Sequence, residues 1–93
     1  MTSAQARERS ERLVAEIKRR LKLLGVKETH HFLAYWRITQ TILERPTTTA
    51  AELIFWADIL RGISPLHARL GRFTHCVAGV LVEEAVMMGD RDG

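Results

Sequence analysis

Cysteine is nearly missing from this chain of 93 residues. Cys76 stands alone, so no intrachain disulfide can staple the fold and no zinc site can be built from several thiolates. Long apolar runs are missing too. The longest, Cys76 to Val82, covers seven residues, against the roughly 20 that a membrane-spanning helix needs. The first dozen residues, MTSAQARERSER, hold no apolar leader region. A cytoplasmic protein without a membrane partner is the expectation from these two absences. No segment sustains the period-two alternation of a half-buried strand, and no Asn-Gly or Asp-Gly turn separates two candidate strands. The chain is therefore read as all-α.

Signatures of a reaction are equally scarce. There is no HExxH, no CxxC and no glycine-rich phosphate loop. Glu83 and Glu84 are consecutive and fall on different helix faces, and Ser64 before Pro65 is explained as a helix N-cap. His30 and His31 are neighbours, pointing about 100° apart on a helix, while His67 and His75 are separated by more than two turns. These histidines are expected to serve structure, with His30 and His31 in the first turn of a helix and Cys76 as a half-buried small hydrophobe. No catalysis, cofactor or metal is assigned.

What is present is enough to fold. The chain is 46% hydrophobic and 27% charged, ordinary for a globular protein. A domain of this size buries only about 60 to 65% of its unfolded surface, so a partner or second copy is expected to add stability.

With only six glycines and two prolines, punctuation is sparse and marks helix ends. Residues 1–25 form a basic amphipathic helix on a stripe of Leu13, Ile17, Leu21 and Leu24, closed by Gly25. Thr29 offers an N-cap for a second helix carrying Phe32, Tyr35, Trp36, Thr39, Ile42 and Leu43, which must end before Pro46. Thr49-Ala-Ala-Glu52 has capping-box spacing and opens a third helix, residues 50–61, closed by Gly62. Ser64-Pro65 opens a fourth, running to about Met88 on Leu66, Leu70, Phe73, Val77 and Leu81. The expected fold is a single all-α domain over 1–93, a compact dimeric bundle of four helices. Residues 29–89 form its three-helix core, the first helix projects from it, and 90–93 are a polar tail.

Charge is unevenly spread along this plan. Residues 1–27 carry eight basic and three acidic side chains, and the remainder six basic and eight acidic. A partner chosen by charge would be chosen at the first helix, where Lys18, Arg19 and Lys22 are candidate phosphate contacts. The usual alternative is a solvated face with ion pairs at helical spacing, such as Glu16 with Arg19 or Arg20. No aromatic lies between Met1 and Glu28, which argues against single-stranded nucleic acid.

A helix-turn-helix over residues 50–75 would present Arg69 and Arg72 to DNA. The pattern departs from that motif. Asp58 stands where a small residue is usual, Arg61 where an apolar one is usual, and the fourth helix is about twice the length of a recognition helix.

Helix three is apolar nearly all round, with only Glu52, Asp58 and Arg61 polar. Helix four places Gly71, Ala78 and Gly79 near one face with His75 and Val82, a spacing that suggests a tight crossing. Tyr35 and Trp36 are consecutive, as are Phe55 and Trp56, so one ring of each pair is expected to face outward. These considerations select Tyr35, Trp36, Phe55, Trp56, Leu60, Val82, Val86 and Met87 as the expected partner-binding set. The functional expectation is a non-catalytic regulator that binds another protein, such as a transcription factor, in the manner of an anti-activator or inhibitor. The alternative is a DNA-binding transcriptional regulator. Because the stripe of the first helix is narrow, residues 1–12 are expected to add little to the core.

Overall fold

The computed structural model describes residues 1–29, 32–63 and 68–92, with the side chains at 63, 68, 69 and 90–92 outside the description. These residues form four helices and no strand: α1 (Ser3–Leu23), α2 (Leu33–Glu44), α3 (Ala50–Ile63) and α4 (Ala68–Asp92). The all-α class is as expected. Contacts group the helices in pairs, α1 with α2 and α3 with α4, in units Met1–Thr48 and Thr49–Gly93. α1 thus has a packing partner in α2.

Within the first unit, α1 begins with a reciprocal cap. The Thr2 hydroxyl accepts from the Gln5 amide at 3.1 Å, and the Thr2 amide donates to the Gln5 side chain at 2.8 Å. The helix closes at Gly25, whose φ of 73° is the left-handed conformation that suits glycine. There the Gly25 amide donates to the Lys22 carbonyl and the Val26 amide to the Leu21 carbonyl, a Schellman turn. Ala6, Leu13, Val14, Ile17 and Leu21 are buried, but Leu24, the C-cap residue, is exposed.

Ala6, Arg9 and Ser10 are buried as well, so the first twelve residues do contribute to the core. Arg9 is only 3% exposed, and its guanidinium donates to the carbonyls of Leu43 at 2.8 Å and Arg45 at 3.1 Å. Further along, the Lys18 ammonium lies 5.5 Å from the centre of the Trp36 ring. The start of α1 therefore meets the end of α2 and its later turns meet the beginning, so the two helices are antiparallel.

α2 ends as the proline requires, with Arg45 extended before Pro46. The buried Thr48 hydroxyl then donates to the Ile42 carbonyl at 2.7 Å. Its beginning differs from expectation. The helix starts at Leu33, its N-cap Phe32 makes no side-chain cap, and the Thr29 carbonyl accepts from the Phe32 amide. His30 and His31 lie outside the described residues.

In the second unit the expected capping box is present. The Thr49 hydroxyl accepts from the Glu52 amide at 3.2 Å, and the Glu52 carboxylate accepts from the Thr49 amide at 3.3 Å. α3 buries Leu53, Ala57 and Leu60; α4 buries Phe73, Val77 and Leu81, with Thr74, Ala78, Val80, Glu84 and Ala85. Leu66 lies outside the described residues. Thr74 satisfies its buried hydroxyl on the carbonyls of Leu70 and Gly71 in the preceding turn.

Two expected stops do not stop. α3 passes through Gly62 to Ile63, and α4 through Gly89 to Asp92, taking up most of the segment expected as a polar tail. Nor is Gly79 at a close crossing. A methyl group built there meets no atom within 4 Å.

Two stability predictions follow from these contacts. Arg9→Met keeps the bulk of the side chain but removes both donors, and is expected to cost about 2 kcal/mol in urea unfolding. An unchanged midpoint would mean that water serves the two carbonyls equally well. Gly79→Ala adds helix propensity at an unobstructed position and is expected to stabilise by about 0.5 to 1 kcal/mol. A loss of stability would reinstate the tight crossing.

Candidate interaction surface

A helix apolar on every side must leave some of that surface outside whatever covers it. In α3 the buried positions Leu53, Ala57 and Leu60 recur at intervals of four and three and form one stripe. Opposite this stripe, Ala51, Phe55 and Ile59 follow one another at single-turn intervals and are all exposed. Phe55 is 58% exposed against 39% for Ile59, with Ile54 also exposed beside it. Glu52, Asp58 and Arg61 are exposed too and supply the only charges on the helix.

Phe55 does not hang free in solvent. Its ring stands edge-on to the half-buried Trp56, with centroids 5.6 Å apart and planes at 75°. The pair splits as the 100° divergence requires, one ring outward and one partly covered. The inner ring then holds the outer one in a defined orientation.

Leu60 does not belong to this surface. At 6% exposure it is part of the buried stripe, and its place in the expected binding set is corrected accordingly. Ile54 and Ile59 are exposed instead, and the signal for that was present in the spacing. Once 53, 57 and 60 are taken as the covered stripe, residues 54, 55 and 59 fall outside it.

Val86 and Met87 are exposed on α4, and Val82 is half-buried one turn before Val86. Only residues 64–67 separate α3 from α4, too few to return to the far end of α3, so α4 begins near the end of α3. α4 has 25 residues against 14 in α3, about 37 Å against about 21 Å. Val86 and Met87 lie in the last two turns of this longer helix.

Tyr35 and Trp36 lie in the other unit, and both are half-buried. Here the rings do not divide into one buried and one exposed, because Lys18 of α1 reaches over the Trp36 face.

The basic side chains considered for nucleic acid are partly committed within the protein. Lys18 is placed over Trp36. Arg19 donates to both Glu16 oxygens, at 2.9 and 2.6 Å, and Arg20 donates to one of them at 2.8 Å. Those hydrogen bonds, Arg19 first, hold the Glu16 carboxyl down at about 2. Lys22 and Arg72 are exposed, while the Arg69 side chain and residues 64–67 of the helix-turn-helix candidate lie outside the description.

Among the described residues no three His, Cys, Asp or Glu side chains come together to hold a metal ion. Cys76 is half-buried, and His67 lies outside the described residues. No described helix is long and apolar enough to cross a membrane.

No protein-family model, curated protein or solved structure matches this chain. A functional reading must therefore come from the residues themselves.

The division of α3 into two faces is testable in one comparison. Leu60→Ala should cost about 2 to 4 kcal/mol, as for a buried leucine. Phe55→Ala should change stability by less than about 1 kcal/mol. Equal losses in chemical denaturation would place both side chains in the core.

Proposed function

We propose that this chain is a small non-catalytic regulatory protein that works by docking the exposed face of α3 on another protein surface, in the manner of an anti-activator or inhibitor. The observation that carries the reading is Phe55, a large ring held in place by Trp56 yet 58% exposed, in line with Ala51 and Ile59. A ring already restrained on a helix loses little freedom on binding, and aromatics at an interface centre contribute a disproportionate share of affinity. The same face can meet its own copy, because an apolar line with few charges is compatible with isologous pairing. The proposal accordingly includes a homodimer. A transcription factor, in the cytoplasm, is the target type that fits a small intracellular regulator, and it is part of the proposal.

Sedimentation equilibrium at micromolar concentration tests the assembly. The expected mass is about twice 10.6 kDa, falling to the single-chain mass when Phe55 and Ile59 are both changed to serine. A native chain that stays at the single-chain mass throughout removes the dimer. A mixed duplex DNA titration at low salt addresses the competing class, since phosphate-driven binding is strongest there and falls steeply as salt rises. Tight, salt-sensitive DNA binding would replace the protein-docking reading with the DNA-binding one.

A further inference from the structure

A different surface stands out at the opposite chemical extreme from α3. Because α1 and α2 are antiparallel, the end of α1 and the beginning of α2 lie at the same end of their pair. Three leucines are exposed there: Leu23 at 73%, Leu24 at 58% and Leu33 at 51%. The Gly25 turn ends the helix just after the first two, leaving them on the outside of the closing turn.

The leucines are not in neutral surroundings. Between Glu16 and Arg37 six basic side chains are set against two acids. Lys22, Lys27 and Arg37 are exposed, while Lys18 lies over Trp36 and Arg19 is paired with Glu16. Apolar side chains projecting from a cationic surface call for a partner that is negatively charged and also has an apolar interior.

We propose that this end of the α1 and α2 pair docks on an anionic lipid surface, with Leu23, Leu24 and Leu33 entering the headgroup boundary and the lysines and arginines facing lipid phosphates and carboxylates. Three features favour lipid over the other acidic partners. The side chains are leucine and lysine, of which lysine is depleted in protein interfaces and leucine is rare among their hot spots. Both are what an interfacial contact with an anionic bilayer uses. Nucleic acid would match the cations but offers nothing apolar to three aliphatic side chains, and among its described residues the patch has no exposed aromatic on which a base could stack. Finally, the three exposed leucines share one end of the helix pair with the exposed Lys22 and Lys27. This contact is peripheral and is compatible with the absence of a spanning helix among the described residues.

The test is co-sedimentation of the full chain with phosphatidylcholine vesicles, with and without a third of phosphatidylserine, at low salt. Binding is expected to the anionic vesicles alone and to weaken as salt is raised. Leu23→Ser with Leu24→Ser should lower vesicle affinity on the order of tenfold or more. Circular dichroism of that variant establishes that its helices persist. Lys22→Glu with Lys27→Glu, which leaves the leucines and the turn untouched, provides a second route to the same loss if the first variant fails to fold. Equal binding to neutral vesicles, no binding to either, or native binding by both variants would overturn the proposal. So would tight binding to duplex DNA or polyglutamate with none to anionic vesicles.

Discussion

The first unit depends on one arginine. Helix carbonyls at a C-terminus have no amide partners of their own, and α2 ends against Pro46, which has no amide hydrogen to offer. The Arg9 guanidinium supplies that need from α1, donating to Leu43 and Arg45, while Thr48 serves Ile42. A cation at this end also meets the negative end of the α2 dipole. The contact sets the direction of α1 against α2. The antiparallel arrangement places Lys18 at Trp36 and gathers Leu23, Leu24 and Leu33 at the other end of the pair. A helix that looks from composition like a charged arm is thereby made part of a packed unit.

This dependence also explains where sequence reasoning succeeded and where it failed. Helix ends that rely on local chemistry were legible: Thr49 with Glu52, Gly25, and the extended residue before Pro46. The Thr2 and Gln5 box carries the same three-residue spacing and could have been read by the same rule. Gly62 and Gly89 were misread because glycine ends a helix only when the chain enters the left-handed region, and among the described glycines only Gly25 does so. Arg9 was illegible for a deeper reason. A charged residue on an amphipathic helix ordinarily faces solvent, and its burial depends on carbonyls 34 and 36 residues away. Its position, three after Ala6 and four before Leu13, was the only local trace.

The same logic applies to the aromatic pairs. Geometry alone set Phe55 and Trp56 on different sides of the helix, and one is exposed while the other is half-buried. Tyr35 and Trp36 obey the same 100° rule, but the covering group for Trp36 is a lysine from another helix, which periodicity within α2 cannot reveal. Leu60 was placed with the binding residues because helix three offers apolar side chains in every direction. Only the pairing of α3 with α4 decides which third of that surface is removed from water.

The charge asymmetry of the sequence falls along the division between the two units, and this bears on how their surfaces would behave. Residues Met1–Thr48 carry ten basic and five acidic side chains, whereas Thr49–Gly93 carry four and six. The exposed line on α3 lies in the mildly acidic unit, where attraction must come from apolar contact and is little weakened by salt. The leucines of α1 and α2 lie in the basic unit, where attraction begins with charge and is screened within about 10 Å at 0.1 M ionic strength. Salt is therefore a physical separator of the two surfaces. An association that persists at high salt belongs with Phe55 and Ile59, and one that disappears belongs with the cations around Leu23 and Leu24. The two proposed contacts are thus governed by different forces, one apolar and one electrostatic.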